Sequence, residues 1–223
     1  MIDPIPPVVP AGRMADNTQP TLGLPGGLEL RPWRPCDATA LVTASHDPAI
    51  SRWNLLPALT EEEARTRIAR MRERWETETG AVWAITRPAN GEGGILGLAA
   101  WIGVDLRRGH AEIAYWVLPA GRGTGLAVAA ARRLTDWALD DLGLHRLTLC
   151  HAVANPASCR VAEKAGFRLE GTMRHALLHA DGWHDQHLHA RVRGDEEGGQ
   201  GEQDDREGRE DLADPTDLED PRP

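Results

Sequence analysis

The chain has 223 residues and is 41% hydrophobic, enough to bury one full core, so its length favours a single domain with tails over two packed domains. Its formal charge of −9 sits at one end, because residues 195–223 hold thirteen acidic and three basic residues, leaving residues 1–194 close to neutral. A near-neutral body without an arginine stripe interleaved with aromatics argues against nucleic acid as a partner.

In chain order, residues 1–26 are rich in Pro, Gly and small polar residues, and the prolines of "MIDPIPPVVPAGR" would break the apolar core of a signal peptide. Segment 1–26 is therefore expected to be a disordered lead into a folded body at 27–194, followed by a disordered acidic tail at 195–223. That tail is read as a solvated extension, the alternative being a lure for a basic acceptor. "LELRPWRP" alternates like a strand, and Asp37 opens a short helical reading through Ala38, Leu41 and Ala44. Thr60 followed by Glu63 is a capping box, which predicts a helix start, and Ala64, Ile68, Met71 and Trp75 fall on one face beyond it. "AVWAIT", "ILGLAAWIGV" and "HAEIAYWV" read as strands, the first two joined through an Asn90-Gly91 turn.

From Gly123 to about Leu142 the apolar spacing is helical again, with Gly143 as a left-handed stop. "HRLTLCH" reads as a strand. Asn155-Pro156 then starts a helix, asparagine capping and proline being preorganised at the first helical position, and that helix ends on Gly166. Two more strands meet at an Asp181-Gly182 turn. The sum is an α/β (α+β) protein, a mixed sheet with helices upon it. No uncharged apolar run approaches the roughly 20 residues of a bilayer span, so no membrane association is expected. Cys36, Cys150 and Cys159 show no CxxC or zinc-like spacing, which fits a reducing, cytoplasmic setting.

The stretch "AEIAYWVLPAGRGTGL" poses the functional question. Amides of "GRGTG", at the positive end of a following helix, can converge on an anion, and Arg122 can pair with a phosphate through its planar fork. The bland alternative is a tight strand-to-helix turn. Nucleotide fingerprints fail on the letters: no lysine completes a Walker loop, and the third glycine of a dinucleotide motif is Leu126 or Val128.

The ordered series "LELRPWRPCDA", "AEIAYWVLPAGRGTGLA", "NPASCRVAEKAGFRLEG" and "DGWHDQHLHARV" resembles the GNAT superfamily of acetyl-CoA-dependent N-acetyltransferases, in its RimJ/RimL branch that acetylates ribosomal-protein N-termini. The resemblance covers residues 27 to about 194. It implies a central mixed sheet splayed at the acetyl-CoA site and flanked by helices. The pantetheine arm would pair near Val117 and Leu118, and the pyrophosphate would sit on the amides of Arg122, Gly123, Thr124, Gly125 and Leu126. The family loop, Arg/Gln-x-x-Gly-x-Gly/Ala, is matched by Gly123 and Gly125, but its leading position is Ala120, which removes one side-chain contact. Asn155 matches the asparagine on the pantetheine side, beside its reading as a helix cap.

Acetyl transfer needs a neutral amine, a polarised carbonyl and a proton for the departing thiolate. Glu112 is the candidate base, its alternative being a surface glutamate on an alternating strand. The tyrosine that many relatives carry in "LYEKLGF" is Ala162 in "VAEKAGF", and Tyr115 is the sole tyrosine of the chain. Ser158, three residues after Asn155, matches the branch's proton donor, or else is a serine bonded to its own helix cap. A glutamate used as base elsewhere in the branch would fall near Leu177. His175, His179, His184, His187 and His189 raise a metal reading, and His187 and His189 share a strand face. No carboxylate or cysteine pattern closes a site, so no metal is expected. His184 and Asp185 are candidates for the acceptor groove. Trp33, Trp53 and Trp83 either shape that groove or pack in the core.

The resulting expectation is acetyl transfer to a primary amine, a protein N-terminus first and a small amine such as an antibiotic or polyamine second, by a monomer or homodimer. A noncatalytic acyl-CoA-binding module is the reading from another class.

Overall fold

A computed structural model describes residues 5–88 and 94–195. The Asn90-Gly91 turn, and the acidic tail beyond Asp195, lie outside the described residues. Eight strands make one sheet: β1 (Leu22–Leu24), β2 (Leu28–Pro32), β3 (Ala81–Thr86), β4 (Ile95–Asp105), β5 (His110–Val117), β6 (Arg146–Ala152), β7 (Arg168–His179) and β8 (Gly182–Val192). Their order is β1-β2-β3-β4-β5-β6-β8-β7, antiparallel at every junction except β5 with β6. That parallel junction requires a crossover, supplied by helix α4 (Leu126–Asp136) and the wider π turn Trp137–Leu142 that continues it to Gly143.

Period-two alternation gives the sheet two apolar faces. Val82, Ala84, Leu98, Ala100 and Trp116 point to one side, where α1 (Ala38–Ser45), α2 (Pro48–Asn54) and α3 (Glu61–Glu76) cover them. Trp83, Ile85, Trp101, Ile113, Leu147 and Leu149 point to the other, under α4 and α5 (Pro156–Lys164). The capping box forms as its spacing predicts: Glu63 N donates to Thr60 Oγ1 at 3.3 Å and Thr60 N to Glu63 Oε2 at 2.8 Å. Ala64, Ile68, Met71 and Trp75 are the buried residues of α3. Helix α2 was absent from the sequence reading, although Asp47-Pro48 carries the same cap-plus-proline signal as Asn155-Pro156. Asp47 Oδ1 accepts from the amides of Ala49 and Ile50, each at 3.0 Å.

The expectation of a disordered lead is overturned for residues 5–26. Val9 and Met14 are buried, and the amides of Val8 and Val9 donate to the carbonyls of Arg107 and Leu106 at 3.0 Å. Glu78 grips the strap from below, its carboxylate accepting from Gly12 N (2.9 Å), Met14 N (2.8 Å) and Ala15 N (3.2 Å). Burial pushes the Glu78 pKa up, but these three amides outweigh it and hold the carboxyl below its ordinary value. The strap also satisfies two buried indoles, as Trp75 Nε1 donates to Asn17 O and Trp83 Nε1 to Pro20 O. Composition misjudged this stretch because a few anchors and borrowed backbone bonds suffice when a finished sheet is there to receive them. No helix among the described residues is long and apolar enough to cross a membrane.

Candidate active site

The site begins where the sheet parts. Pairing of β5 with β6 stops at Glu112 with Thr148, although β5 runs on to Val117 and β6 to Ala152. The opening therefore starts inside β5, five residues before its end. A cavity of about 700 Å³ occupies it, within the usual range for small-molecule sites. The ends of β5 and β6, the N-termini of α4 and α5, α2 and the β7–β8 hairpin all contribute to its wall.

At one mouth lies the glycine loop. Gly123 (φ 77°) and Gly125 (φ 80°) take left-handed conformations that a side chain would strain, and Gly125 is the N-cap of α4. None of the N–H groups from Gly123 to Val128 has a hydrogen-bond partner among the described residues. Six backbone donors at a helix N-terminus form an anion cradle. The Arg122 amide does not belong to it, since it donates to Pro119 O at 3.2 Å. Thr124 contributes its amide, while its hydroxyl is spent on Gly121 O at 2.8 Å.

The expected fork of Arg122 on phosphate is also redirected. Its Nη2 meets Asp47 Oδ1 at 2.7 Å and its Nε donates to Val117 O at 3.1 Å, so it braces the loop against the N-terminus of α2. Burial resists charge on Asp47, yet Arg122 and the cap amides bring its pKa below the ordinary value. Val117 O is engaged by Arg122 and Leu118 N donates to Leu96 O at 2.8 Å, so those two backbone groups are spent within the protein. Leu118 is buried against the α1–α3 core, whereas Val117 still lines the cavity. From Ile113 to Val117 the β5 edge faces the opening without a β6 partner. Ala120 lies exposed in the single turn Pro119–Gly121.

At the other end, alternation along β5 places Glu112 and Tyr115 on opposite faces, both lining the cavity. Glu112 is half-buried without a paired cation among its neighbours, and burial raises its pKa above the ordinary carboxylate value. Asn155 caps α5, its Oδ1 accepting from Ser158 N at 3.2 Å, which leaves its amide nitrogen available to the cavity. The cap contact therefore does not use up the side chain. The Ser158 hydroxyl does not bond back to the cap: its Oγ lies 2.7 Å from the Tyr115 hydroxyl. Burial pushes the Tyr115 pKa up to about 12, so the phenol stays protonated through the neutral range. Sequence reasoning left Tyr115 outside the site. Its alternation with Glu112 on one strand was visible, but which helix residue meets it depends on how α5 lies on the sheet. Burial, with Glu112 adding to it, likewise pushes the Cys150 thiol up to about 12.

Beyond Glu112 the cavity opens between α2 and the β7–β8 hairpin, past Trp53, Leu177 and His179. His179 Nδ1 lies 3.0 Å from Arg52 O, and the Trp53 ring packs edge-on against His179 and His184, at 5.8 and 6.3 Å between centroids. His184 is held by Asp181 at 2.8 Å, while Asp185 accepts from His175 N at 2.8 Å and so braces the bulged hairpin. Trp33 and Trp83 are core residues. Behind α5, the structure gathers His151, His187, His189 and Cys159, a cluster the sequence reading did not assemble.

Residues 27–168 match the family model described as Acetyltransferase (GNAT) domain. A Bacillus subtilis (strain 168) protein assigned as a ribosomal N-acetyltransferase, YdaF, is 36% identical over 93 residues, which are 42% of this chain and 50% of that one. The ribosomal-protein-serine acetyltransferase of Escherichia coli (strain K12) is 30% identical over 98 residues, 44% of this chain and 55% of the relative. The chain spans about half the length of these curated relatives. In fold it is similar to Mycobacterium smegmatis RimJ in complex with CoA-disulfide, with a TM-score of 0.68 and 24% identity over 78% of this chain and 86% of that one.

Proposed function

Because the chain belongs to the GNAT acetyltransferase family, we propose that it is an acetyl-CoA-dependent N-acetyltransferase that passes acetyl directly to a primary amine, with a protein N-terminal α-amine as acceptor. The observation that carries this reading is the joint lining of one cavity by an unpartnered amide cradle, the raised-pKa carboxyl of Glu112 and the Tyr115–Ser158 hydroxyl pair. The cradle at Gly123–Val128 suits a pyrophosphate, and the exposed edge of β5 together with the Asn155 amide suits an amide-bearing arm. When bound, acetyl-CoA supplies an acyl group activated as a thioester.

In this reading Glu112 takes a proton from the incoming ammonium, directly or through water. Its raised pKa makes it a better base than an ordinary carboxylate, and an α-amine of pKa about 8 demands less of it than a lysine near 10.4. Ser158 Oγ delivers a proton to the departing sulfur while accepting one from Tyr115 Oη, and the second proton that the nitrogen sheds as the amide forms returns to the phenol through solvent. The names of the relatives favour a ribosomal protein as the acceptor.

The test is purified full-length protein with acetyl-CoA and a panel of N-terminal peptides, followed by free-thiol release and by mass spectrometry of the acetylated α-amine. Turnover with peptides supports the proposal. Turnover confined to antibiotics or polyamines would move the acceptor to small amines, and acetyl-CoA binding without thiol release would make the chain a noncatalytic module.

A further inference from the structure

The cluster behind α5 draws on three elements. His151 stands on β6 directly opposite His187 on β8, and His189 lies two residues further along the same face of β8. Cys159, on α5, closes the set from above. One ligand atom from each of the four lies within 4.8 Å of all the others. His151 Nε2 and His189 Nε2 face each other at 3.2 Å. Tetrahedral zinc, with bonds of about 2.0–2.3 Å, sets its ligand atoms roughly 3.3–3.8 Å apart, so the two imidazoles already stand at nearly the required spacing.

The protonation pattern points the same way. His151 Nδ1 lies 2.9 Å from Ala152 O, which makes Nδ1 the protonated nitrogen and turns the Nε2 lone pair into the cluster. A metal-bound imidazole is usually oriented by such a carbonyl contact on its other nitrogen. His151 and His189 are 5% and 1% exposed. Nδ1 of His187 is buried with no hydrogen-bond partner among the described residues, an arrangement that is costly unless something else occupies it. Three imidazoles with one thiolate offer four nitrogen and sulfur donors, the number and donor types that tetrahedral zinc takes. Glu163, one turn beyond Cys159 on α5, has its Oε1 3.5 Å from Cys159 Sγ and offsets the positive charge that such a site keeps.

We propose that His151, His187, His189 and Cys159 bind one zinc ion, which clasps α5 to β6 and β8 and thereby fixes the helix that carries Asn155 and Ser158. On binding, the Cys159 thiol gives its proton to solvent and the sulfur joins the metal as thiolate, drawn in by a small shift of the α5 side chain. The inference does not depend on the acetyltransferase reading, and its test needs no turnover.

Full-length protein stripped with a chelator is titrated with Zn²⁺ against a chromophoric competitor, and separately with Co²⁺ under reducing conditions. The expected results are one equivalent bound, a higher melting temperature with metal, and a thiolate-to-cobalt charge-transfer band beside tetrahedral d–d bands. Cys159→Ser, on the partly exposed face of a helix, should abolish the charge-transfer band and weaken zinc binding by about a hundredfold, while Cys150→Ser keeps the band. Failure of the wild-type chain to bind one equivalent, or a charge-transfer band that survives Cys159→Ser, overturns the proposal. The first of those results would leave His151 and His189 as a pair sharing a single proton.

Discussion

Tyr115→Phe removes one oxygen, that of the phenol 2.7 Å from Ser158 Oγ, and leaves the ring in place. Between two neutral hydroxyls such a bond contributes about 1 kcal/mol, so the loss of stability should be small. Catalysis should feel it more. As Ser158 gives up its proton its oxygen gains negative charge until the phenol proton reaches it, and a hydrogen bond to a charged partner is worth about 1.5–3 kcal/mol. At 1.36 kcal/mol per factor of ten, kcat should fall roughly 10- to 150-fold. The bond lies away from the Gly123–Val128 cradle, so KM for acetyl-CoA should stay nearly constant. Steady-state thiol release with a saturating N-terminal peptide measures both constants. A double-mutant cycle isolates the mechanism, because Tyr115→Phe in a Ser158→Ala background should cost nothing further if the phenol acts through the serine. A single variant with kcat within about twofold of wild type, or losses that add in the double variant, would refute the relay.

Glu112→Gln should lower kcat by roughly 10²–10⁴ and remove the acidic limb of the pH–rate profile, which in the wild type lies above the ordinary carboxylate range. The same change should stabilise the fold. Burial raises the folded pKa of Glu112 above its unfolded value, so the stability it contributes is present at low pH and is lost as pH rises through the folded pKa; at neutral pH the buried charge is a net cost. Melting curves should show the variant more stable than wild type at neutral pH, with the gap closing in acid; a lower melting temperature at neutral pH contradicts the assignment. Met14 has no exposed surface, and Met14→Ala should cost about 2–5 kcal/mol in denaturant unfolding, whereas an unpacked lead would tolerate it without change.

Much of the architecture could be read from the letters, because local chemistry and local periodicity determine it. Thr60 with Glu63, Asn155 with Pro156 and the left-handed Gly143 mark helix boundaries through bonds that form within a few residues. "AVWAIT" alternates between the two cores it divides. The four motifs in order pointed to the GNAT fold before any coordinate did. The glycine loop was legible too, since an amide cradle needs only glycines and a helix start.

Arrangements between segments distant in the chain were not legible. Arg122 looked like a phosphate ligand, but Asp47 lies 75 residues away in sequence and only packing brings the two to 2.7 Å. Tyr115 meets Ser158 across 43 residues through a helix laid on a sheet, and His151 meets His189 across 38 through the pairing of β6 with β8, at registers that no local pattern encodes. The N-terminal strap is the plainest case. Its composition cannot support a core of its own, so the sequence alone described an unstructured lead. The order it has comes from Glu78, two indoles and a sheet edge belonging to the rest of the chain, partners that exist only once the tertiary structure has assembled them.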